Sequence, residues 1–165
     1  MRIKQAWDLA ISESPDADWT VGITLGTDLE DGAMYVLNIS RGHWDFPTIM
    51  KRIETDYWAW KPDTIGIESV GMQRIFAQGL RPKLLPVVDI KQTKQSKDER
   101  IRGLSANFEN GRIRIDKSMD ELLKEYLTFP NGATKDILDC LEMVVRIQIE
   151  ASTRPGFLPH VAVRK

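Results

Sequence analysis

The hydrophobic period of this chain first follows that of β-strands and then, from Phe46, that of a helix, and this change restricts the possible folds more than any other feature. In Trp19–Leu25 apolar and polar residues alternate, and Asp31 with Gly32 gives a strong signal for a hairpin turn. In Phe46–Trp60 the apolar residues recur at helical spacing instead, and Pro62 ends the pattern. A meander of three antiparallel strands, followed by alternating helices and strands, predicts an α/β fold. Its mixed sheet would carry helices on both faces.

The same periods, together with capping residues, predict the remaining elements. The strands are Ile3–Ala10, Met34–Ile39, Thr64–Glu68, Leu84–Ile90 and Arg112–Ile115, and the helices are Met72–Leu80, Lys97–Asn110, Met119–Leu127 and Lys135–Glu150. Ser118 and Glu121 predict a capping box for the third of these helices, and Thr134 predicts the N-cap of the last. Residues 1–150 are expected to form one domain, cut from a longer protein, and residues 151–165 a C-terminal tail.

Composition excludes several classes of protein. No apolar run approaches the roughly 20 residues of a membrane-spanning helix, so no membrane association is expected. Cys140 is the only cysteine, which excludes a disulfide framework and a cysteine zinc cluster and fits a reducing cytoplasm. The chain has no G-x-x-x-x-G-K-[ST] phosphate loop, so it is not a P-loop ATPase on its own. Its formal net charge is -1, so nucleic acid would have to bind through local basic patches or through metal ions held by acidic residues.

Four carboxylates occupy positions that suit a catalytic or metal-binding site. Asp8 ends the first strand, Glu68 ends a later strand, and Asp136 and Asp139 share a face in the first turns of the last helix. Taken singly, each has a structural explanation as a turn residue, a solvated loop edge or an acid favoured by the helix dipole. If the four converge, their repulsion requires cations, and oxygen-only ligands suit Mg²⁺ or Mn²⁺. Two such ions about 4 Å apart are the apparatus of phosphodiester hydrolysis.

A basic stripe precedes these acids in the sequence. Lys91, Lys94, Lys97 and Arg100 recur every three residues. The pattern is typical of a solvated helix start, and equally of side chains that follow the phosphates of a nucleic acid. The sequence alone leaves both interpretations open.

Several segments occur in an order and spacing that belong to one known family. They are Trp7-Asp8-Leu9-Ala10, Asp18-Trp19-Thr20-Val21-Gly22, Gly32-Ala33-Met34-Tyr35-Val36-Leu37, Ser40-Arg41-Gly42-His43-Trp44, Lys61-Pro62-Asp63, Ile65-Gly66-Ile67-Glu68-Ser69-Val70-Gly71, Ser96-Lys97-Asp98-Glu99-Arg100 and Glu125-Tyr126-Leu127-Thr128-Phe129-Pro130. Through them the chain, from about Ala6 to Ile147, resembles the C-terminal nuclease domain of tailed-phage terminase large subunits. That family is a branch of the RNase H and RuvC-type resolvase superfamily.

The resemblance implies an RNase H-like fold and a metal-dependent DNA endonuclease that cuts concatemeric double-stranded DNA and leaves 5′-phosphate and 3′-hydroxyl ends. Asp8, Glu68 and Asp136 would be catalytic metal ligands for two Mg²⁺ or Mn²⁺ ions, with Asp139 a ligand or supporting acid; no organic cofactor is implied. Lys97 and Arg100, with Lys94 beside them, would contact DNA. The implied partners are an upstream ATPase domain of the same polypeptide, the portal and the small terminase subunit, at the procapsid portal in the host cytoplasm.

The last acidic motif departs from the family pattern. That pattern reads His-Asp-Asp-x-x-Asp-Ala, whereas this chain has Thr134 and Lys135 in place of the histidine and the first aspartate. The exchange removes a possible outer metal ligand, or lets Lys135 contact the scissile strand. Two alternatives therefore stay open: a junction resolvase or RNase H-type nuclease with the same acidic site, and a catalytically weak module that docks DNA or the portal.

Overall fold

The computed structural model describes residues 1–10, 18–68, 79–80, 83–91 and 93–153, in which six strands form one sheet of order β5-β4-β1-β2-β3-β6. The strands are β1 (Arg2–Asp8), β2 (Thr20–Thr27), β3 (Met34–Gly42), β4 (Thr64–Glu68), β5 (Val87–Ile90) and β6 (Ile113–Arg114). The first three strands pair antiparallel, whereas β4 lies parallel to β1, β5 parallel to β4 and β6 parallel to β3. The predicted mixed α/β sheet is confirmed.

Five helices of the described chain accompany the sheet. They are α1 (Phe46–Trp60), α2 (Lys97–Arg102), α3 (Ser105–Glu109), α4 (Asp120–Thr128) and α5 (Asp136–Thr153). The bounds of α1 match the prediction, because Asp45 accepts a hydrogen bond from the amide of Thr48 at its start and Lys61 ends it in a left-handed conformation before Pro62. None of the described helices has the length and apolar character needed to cross a membrane.

The sheet is covered on both faces, and each face has its own core. Helix α5 contacts β1 and β2, and its Ile137, Leu141 and Val144 belong to the larger core cluster. On the opposite face, Ile49 and Ile53 of α1 pack in a second cluster with Trp7, Ile65 and Ile67. Strand β2, which pairs on both sides, is therefore buried along its whole length.

Two close contacts hold β1, β2 and α5 together. Gly22 lies against the indole of Trp7, and a Cβ at this position would come within 2.6 Å of the ring. Cys140 of α5 is fully buried, and its thiol donates to the backbone carbonyls of Ala6 and Val21 at 3.3 Å. The first turns of α5 therefore lie directly over the two central strands.

Two predicted elements have different bounds. The single helix predicted over Lys97–Asn110 is two helices, because the amides of Gly103 and Leu104 bond carbonyls three residues back and tighten the turn between α2 and α3. The strand predicted from Leu84 begins only at Val87, since Leu84 has a φ of 58° and Pro86 follows shortly after. Of the helix predicted over Met72–Leu80, residues 72–78 lie outside the described residues, as do residues 154–165 of the predicted tail.

The predicted capping box at α4 is wrong. The backbone amide and the hydroxyl of Ser118 both bond Asp116, and Met119 stands at the N-cap without a side-chain hydrogen bond. Glu121 instead forms an ion pair with Arg41 at 2.9 Å. The Asp116 turn competes successfully for the serine, because aspartate readily bonds the backbone two residues ahead.

Candidate active site

The structure brings the four predicted carboxylates to one edge of the sheet. Asp8 ends β1 and Glu68 ends the neighbouring parallel strand β4, so both lie at the carboxyl edge. Helix α5 begins at Asp136 and packs on β1 and β2, which brings Asp136 and Asp139 to the same edge. The other three carboxylates all act electrostatically on Asp8. Carboxyl ends of parallel strands are a common place for sites in α/β proteins.

Asp8 carries the clearest electrostatic signature of the site. Burial, followed by repulsion from Asp139, raises the pKa of Asp8 from 3.8 to about 7, although Lys97 acts in the opposite direction. Glu68 and Asp136 contribute further repulsion. The edge therefore holds more negative charge than its neighbouring cations compensate.

Two cations from α2 contact the carboxylates of α5. The ammonium of Lys97 lies 2.9 Å from Asp136 Oδ1 and 3.3 Å from Asp139 Oδ2. Burial alone would lower the pKa of Lys97, but attraction by Asp139, Asp136 and Asp8 raises it above its ordinary value. Arg100 Nη2 lies 3.0 Å from Asp139 Oδ1, out of hydrogen-bond alignment, and its Nη1 bonds Glu142 at 2.9 Å. The two stripe residues favoured by the resemblance thus contact carboxylates in this structure.

The other two predicted DNA contacts lie beside this network. Lys94 is exposed in the segment that leads from β5 to α2. Lys135, which stands where the family has an aspartate, forms an ion pair with Asp98 of α2, and both side chains are more than one-third exposed. This pair adds a further connection between α2 and the start of α5, beside those of Lys97 and Arg100.

The carboxylate edge fits a divalent cation in its chemistry. In the described part of the chain, no three His, Cys, Asp or Glu side chains are arranged as a metal site. The ammonium of Lys97 contacts both Asp136 and Asp139. The oxygen donors are of the kind that Mg²⁺ and Mn²⁺ prefer. An ammonium already stands among them as counter-ion, and Asp8 remains under-compensated. A hard cation would relieve the same repulsion that Lys97 relieves in part.

Glu125 is a residue of this region that the sequence analysis missed. It is only 4% exposed, and its Oε2 accepts hydrogen bonds from the amides of Ile137 at 2.9 Å and Leu138 at 3.1 Å. Thr134, the predicted N-cap of α5, instead donates its hydroxyl to Glu125 Oε1 at 2.9 Å, so that prediction is wrong. The available signal was a glutamate three residues after Leu122, on the buried face of α4.

A second missed residue is Arg41, near the end of β3. Its guanidinium lies 4.1 Å from the ring centroid of Trp19, which in turn contacts His43 at 3.8 Å between centroids. β2 begins and β3 ends at the edge where β1 ends, since Asp8 pairs with Val21 and Thr20 with Gly42. Arg41 thus connects the carboxyl edge to Glu121 of α4.

Comparison with known proteins agrees with this architecture. A sequence model of the terminase RNaseH-like domain family matches residues 5–140, most of the chain and both strand-end carboxylates. The chain belongs to the terminase RNaseH-like domain family. A search among curated proteins found no match.

Solved structures extend the likeness to the RNase H-like fold. The large terminase nuclease of thermophilic phage G20c with bound magnesium has a TM-score of 0.68 and 14% identity, covering 88% of this chain and 80% of that one. The nuclease domain of the P22 large terminase has a TM-score of 0.65 and 14% identity, covering 88% and 81%. The fowlpox virus resolvase with substrate Holliday junction DNA has a TM-score of 0.57 and 15% identity, covering 92% and 99%. The fold of this terminase-family chain is thus shared with nucleases.

Proposed function

We propose that this domain is the metal-dependent endonuclease of a phage DNA-packaging terminase and cuts concatemeric double-stranded DNA. The observation that carries the proposal is the four-carboxylate edge, in which burial and then like charge raise the pKa of Asp8 to about 7. Strongly perturbed acids from several elements are typical of a catalytic site. Membership of the terminase RNaseH-like family supports the DNA substrate.

In this proposal Asp8, Glu68 and Asp136 hold two Mg²⁺ or Mn²⁺ ions, and Asp139 is a further ligand or a supporting acid. The bound ions supply charge neutralisation and a water of lowered pKa for in-line attack on phosphorus. The water oxygen would bond to phosphorus as the bond from phosphorus to the 3′-oxygen breaks. The proton that the water loses would end on the 3′-oxygen, which gives 5′-phosphate and 3′-hydroxyl ends. The G20c nuclease, crystallised with magnesium, zinc or cobalt, supports a divalent ion of this kind.

The cations of α2 have a second role in the proposal. A divalent ion competes with Lys97 for the oxygens of Asp136 and Asp139, which the ammonium contacts at 2.9 and 3.3 Å. The released ammonium, together with the exposed Lys94 and with Lys135, would then be available for phosphates of the DNA backbone. Arg100 remains fixed by its hydrogen bond to Glu142, and its charge, 3.0 Å from Asp139 Oδ1, stabilises that carboxylate.

The proposal extends to the wider assembly, supported by membership of the family. An ATPase domain upstream in the same polypeptide would drive translocation, and the portal and the small terminase subunit would position the DNA. Cutting would then take place in the host cytoplasm, at the procapsid portal. A junction resolvase is the second candidate, favoured by the fowlpox resolvase, 99% of whose chain aligns with this fold.

The test is cleavage of supercoiled plasmid and of a four-way DNA junction in Mn²⁺, Mg²⁺ or EDTA. Asp8→Asn and Asp136→Asn should each reduce the cleavage rate at least about 100-fold, because removing a ligand should cost more than removing a supporting residue. Asp63→Asn is the matched control, since Asp63 pairs with Lys4 at the opposite edge of the sheet.

Each result decides between the candidates. Metal-dependent plasmid cleavage that both site variants lose supports the terminase nuclease, and a strong preference for the junction favours the resolvase. Equal nicking by the wild type and the site variants contradicts the proposed site. A wild type that neither cuts DNA nor binds Mn²⁺ supports a docking module.

A further inference from the structure

The start of α5 is fixed by a carboxylate from another helix. A helix leaves its first amides without partners inside the helix, and a nearby side chain usually caps them. Here the amides of Ile137 and Leu138 donate to Oε2 of Glu125, twelve and thirteen residues earlier in the chain. These two residues stand directly between Asp136 and Asp139 in the sequence. We infer that Glu125 is a positioning residue, which sets the direction of Asp136 and Asp139; this inference rests on the proposed function.

The first turn of α5 needs such a connection because of its charge. Asp136 and Asp139 both act repulsively on Asp8, so repulsion pushes the helix start away from the sheet edge. Lys97 opposes this by holding the carboxylate ends of both residues. Glu125 holds the backbone instead, through bonds that a divalent ion does not compete for. The connection through Glu125 therefore remains when Lys97 gives up its contacts.

Glu125 is itself held by Thr134 and by Arg41, whose Nη2 lies 4.0 Å from Glu125 Oε1. The hydroxyl of Thr134 donates to its Oε1 at 2.9 Å, and the side chain is 4% exposed. Arg41 Nη1 bonds Glu121, one turn earlier on α4, at 2.9 Å, and its Nη2 lies 3.4 Å from the Thr134 hydroxyl. Since Arg41 lies near the end of β3, these contacts hold α4 against the same sheet edge that carries Asp8. These contacts therefore connect the carboxyl edge of the sheet, helix α4 and the start of α5.

The experiment compares the intact domain with Glu125→Ala, Glu125→Gln and Leu122→Ala. Leu122 is fully buried on α4 but has no side-chain hydrogen bond to offer, so it is the control for simple loss of stability. Three quantities are measured on folded protein: amide hydrogen exchange at Ile137 and Leu138, Mn²⁺ affinity by calorimetry, and kcat and KM for plasmid cleavage.

Glu125→Ala should accelerate exchange at the two amides and weaken Mn²⁺ binding about 10- to 100-fold, the usual effect of losing a residue that orients metal ligands. The kcat should fall in the same range while KM for DNA changes less than about twofold. Glu125→Gln should recover most of both effects, because its carbonyl oxygen can accept from the same amides. Leu122→Ala should lower thermal stability and leave Mn²⁺ affinity near that of the wild type.

Wild-type Mn²⁺ affinity and kcat in Glu125→Ala would overturn the inference, as would an equal loss in Leu122→Ala. If Glu125→Ala does not fold, Thr134→Val serves in its place, since it removes the hydroxyl that fixes Oε1. It should weaken Mn²⁺ binding in the same direction by a smaller factor, and unchanged affinity would overturn the inference. A wild type that binds no Mn²⁺ overturns the proposed function instead, and amide exchange then decides alone whether Glu125 holds α5.

Discussion

The two ends of β1 bury charge in opposite ways. Near its start, the ammonium of Lys4 is almost fully buried but lies 2.6 Å from Asp63 and 2.9 Å from the Thr64 hydroxyl. At its end, Asp8 lies among three further carboxylates that raise its pKa together with burial. The first arrangement compensates its charge within the protein, whereas the second leaves an excess that favours binding a cation. The difference indicates that uncompensated charge in a buried cluster, rather than burial itself, marks a functional site.

A substitution of Asp8 gives the strongest test of this comparison. The folded protein keeps the Asp8 proton up to about pH 7, whereas the unfolded chain loses it near pH 4, so a rise in pH between these values destabilises the fold. Asp8→Asn should therefore raise the free energy of unfolding in EDTA by up to about 4 kcal/mol at pH 8, and by little at pH 4. Urea unfolding at the two pH values measures this, and a less stable Asp8→Asn at pH 8 would contradict it.

Metal binding should neutralise the excess negative charge at the end of β1 that carries Asp8. At 100 times its dissociation constant, Mn²⁺ should stabilise the wild type by about 2.7 kcal/mol, which corresponds to roughly 5–10 °C in Tm. At the same Mn²⁺ concentration the stabilisation should be smaller at pH 5.5, because Asp8 then holds a proton that the ion must displace. Calorimetry with Mn²⁺ and with EDTA measures it. An equal shift in Asp8→Asn would place the binding elsewhere.

At the start of β1, breaking the pair of Lys4 and Asp63 should lower the free energy of unfolding, whereas Asp8→Asn should raise it. Asp63→Asn leaves the ammonium of Lys4 buried without a carboxylate, so it should lower the free energy of unfolding by roughly 2 kcal/mol. Lys4→Met removes the buried charge and leaves the half-exposed Asp63 to water and Arg2, so it should cost less than about 1 kcal/mol. Chemical denaturation at pH 7 compares the two variants, and the reverse order would show that the pairing does not limit stability there.

A substitution of Lys135 should have the smallest effect on the free energy of unfolding. Its pair with Asp98 is exposed on both sides, so Lys135→Gln should change the free energy of unfolding by less than about 1 kcal/mol. If Lys135 contacts a DNA phosphate, the slope of log binding constant against log salt concentration should decrease by about 1. Fluorescence titration with a DNA duplex at several salt concentrations checks this. An unchanged slope would limit the role of Lys135 to its contact with α2.

Patterns local in sequence predicted most of the fold. Helix α1 was predicted to the residue, because its apolar spacing and Pro62 are both local signals. The positions of Asp8 and Glu68 at strand ends and of Asp136 and Asp139 at a helix start were also predicted from local patterns, and the structure confirms these positions. The parallel pairing of β1 and β4 brings Asp8 and Glu68 to one edge, and the packing of α5 on β1 and β2 adds Asp136 and Asp139.

What the sequence analysis missed depends on contacts between distant residues. Thr134 was predicted as the cap of α5 from its position alone, yet a buried carboxylate from α4 bonds the amides. The spacing of Lys97 and Arg100 predicted a basic stripe, but spacing does not reveal that α2 packs against α5 and turns both side chains onto Asp139. Hydrogen bonds between helices leave no periodic signal in the chain.

The single cysteine gives this domain a built-in reporter. Cys140 lies one residue after Asp139, has no exposed surface, and bonds the backbone of both central strands. Burial raises the pKa of its thiol well above the ordinary value, which makes it inert to alkylating reagents while α5 stays on the sheet. The rate at which such a reagent labels the native protein therefore measures how often the helix that carries Asp136 and Asp139 separates from the sheet. A thiol-reactive fluorophore would therefore label an introduced surface cysteine without competition from the native thiol.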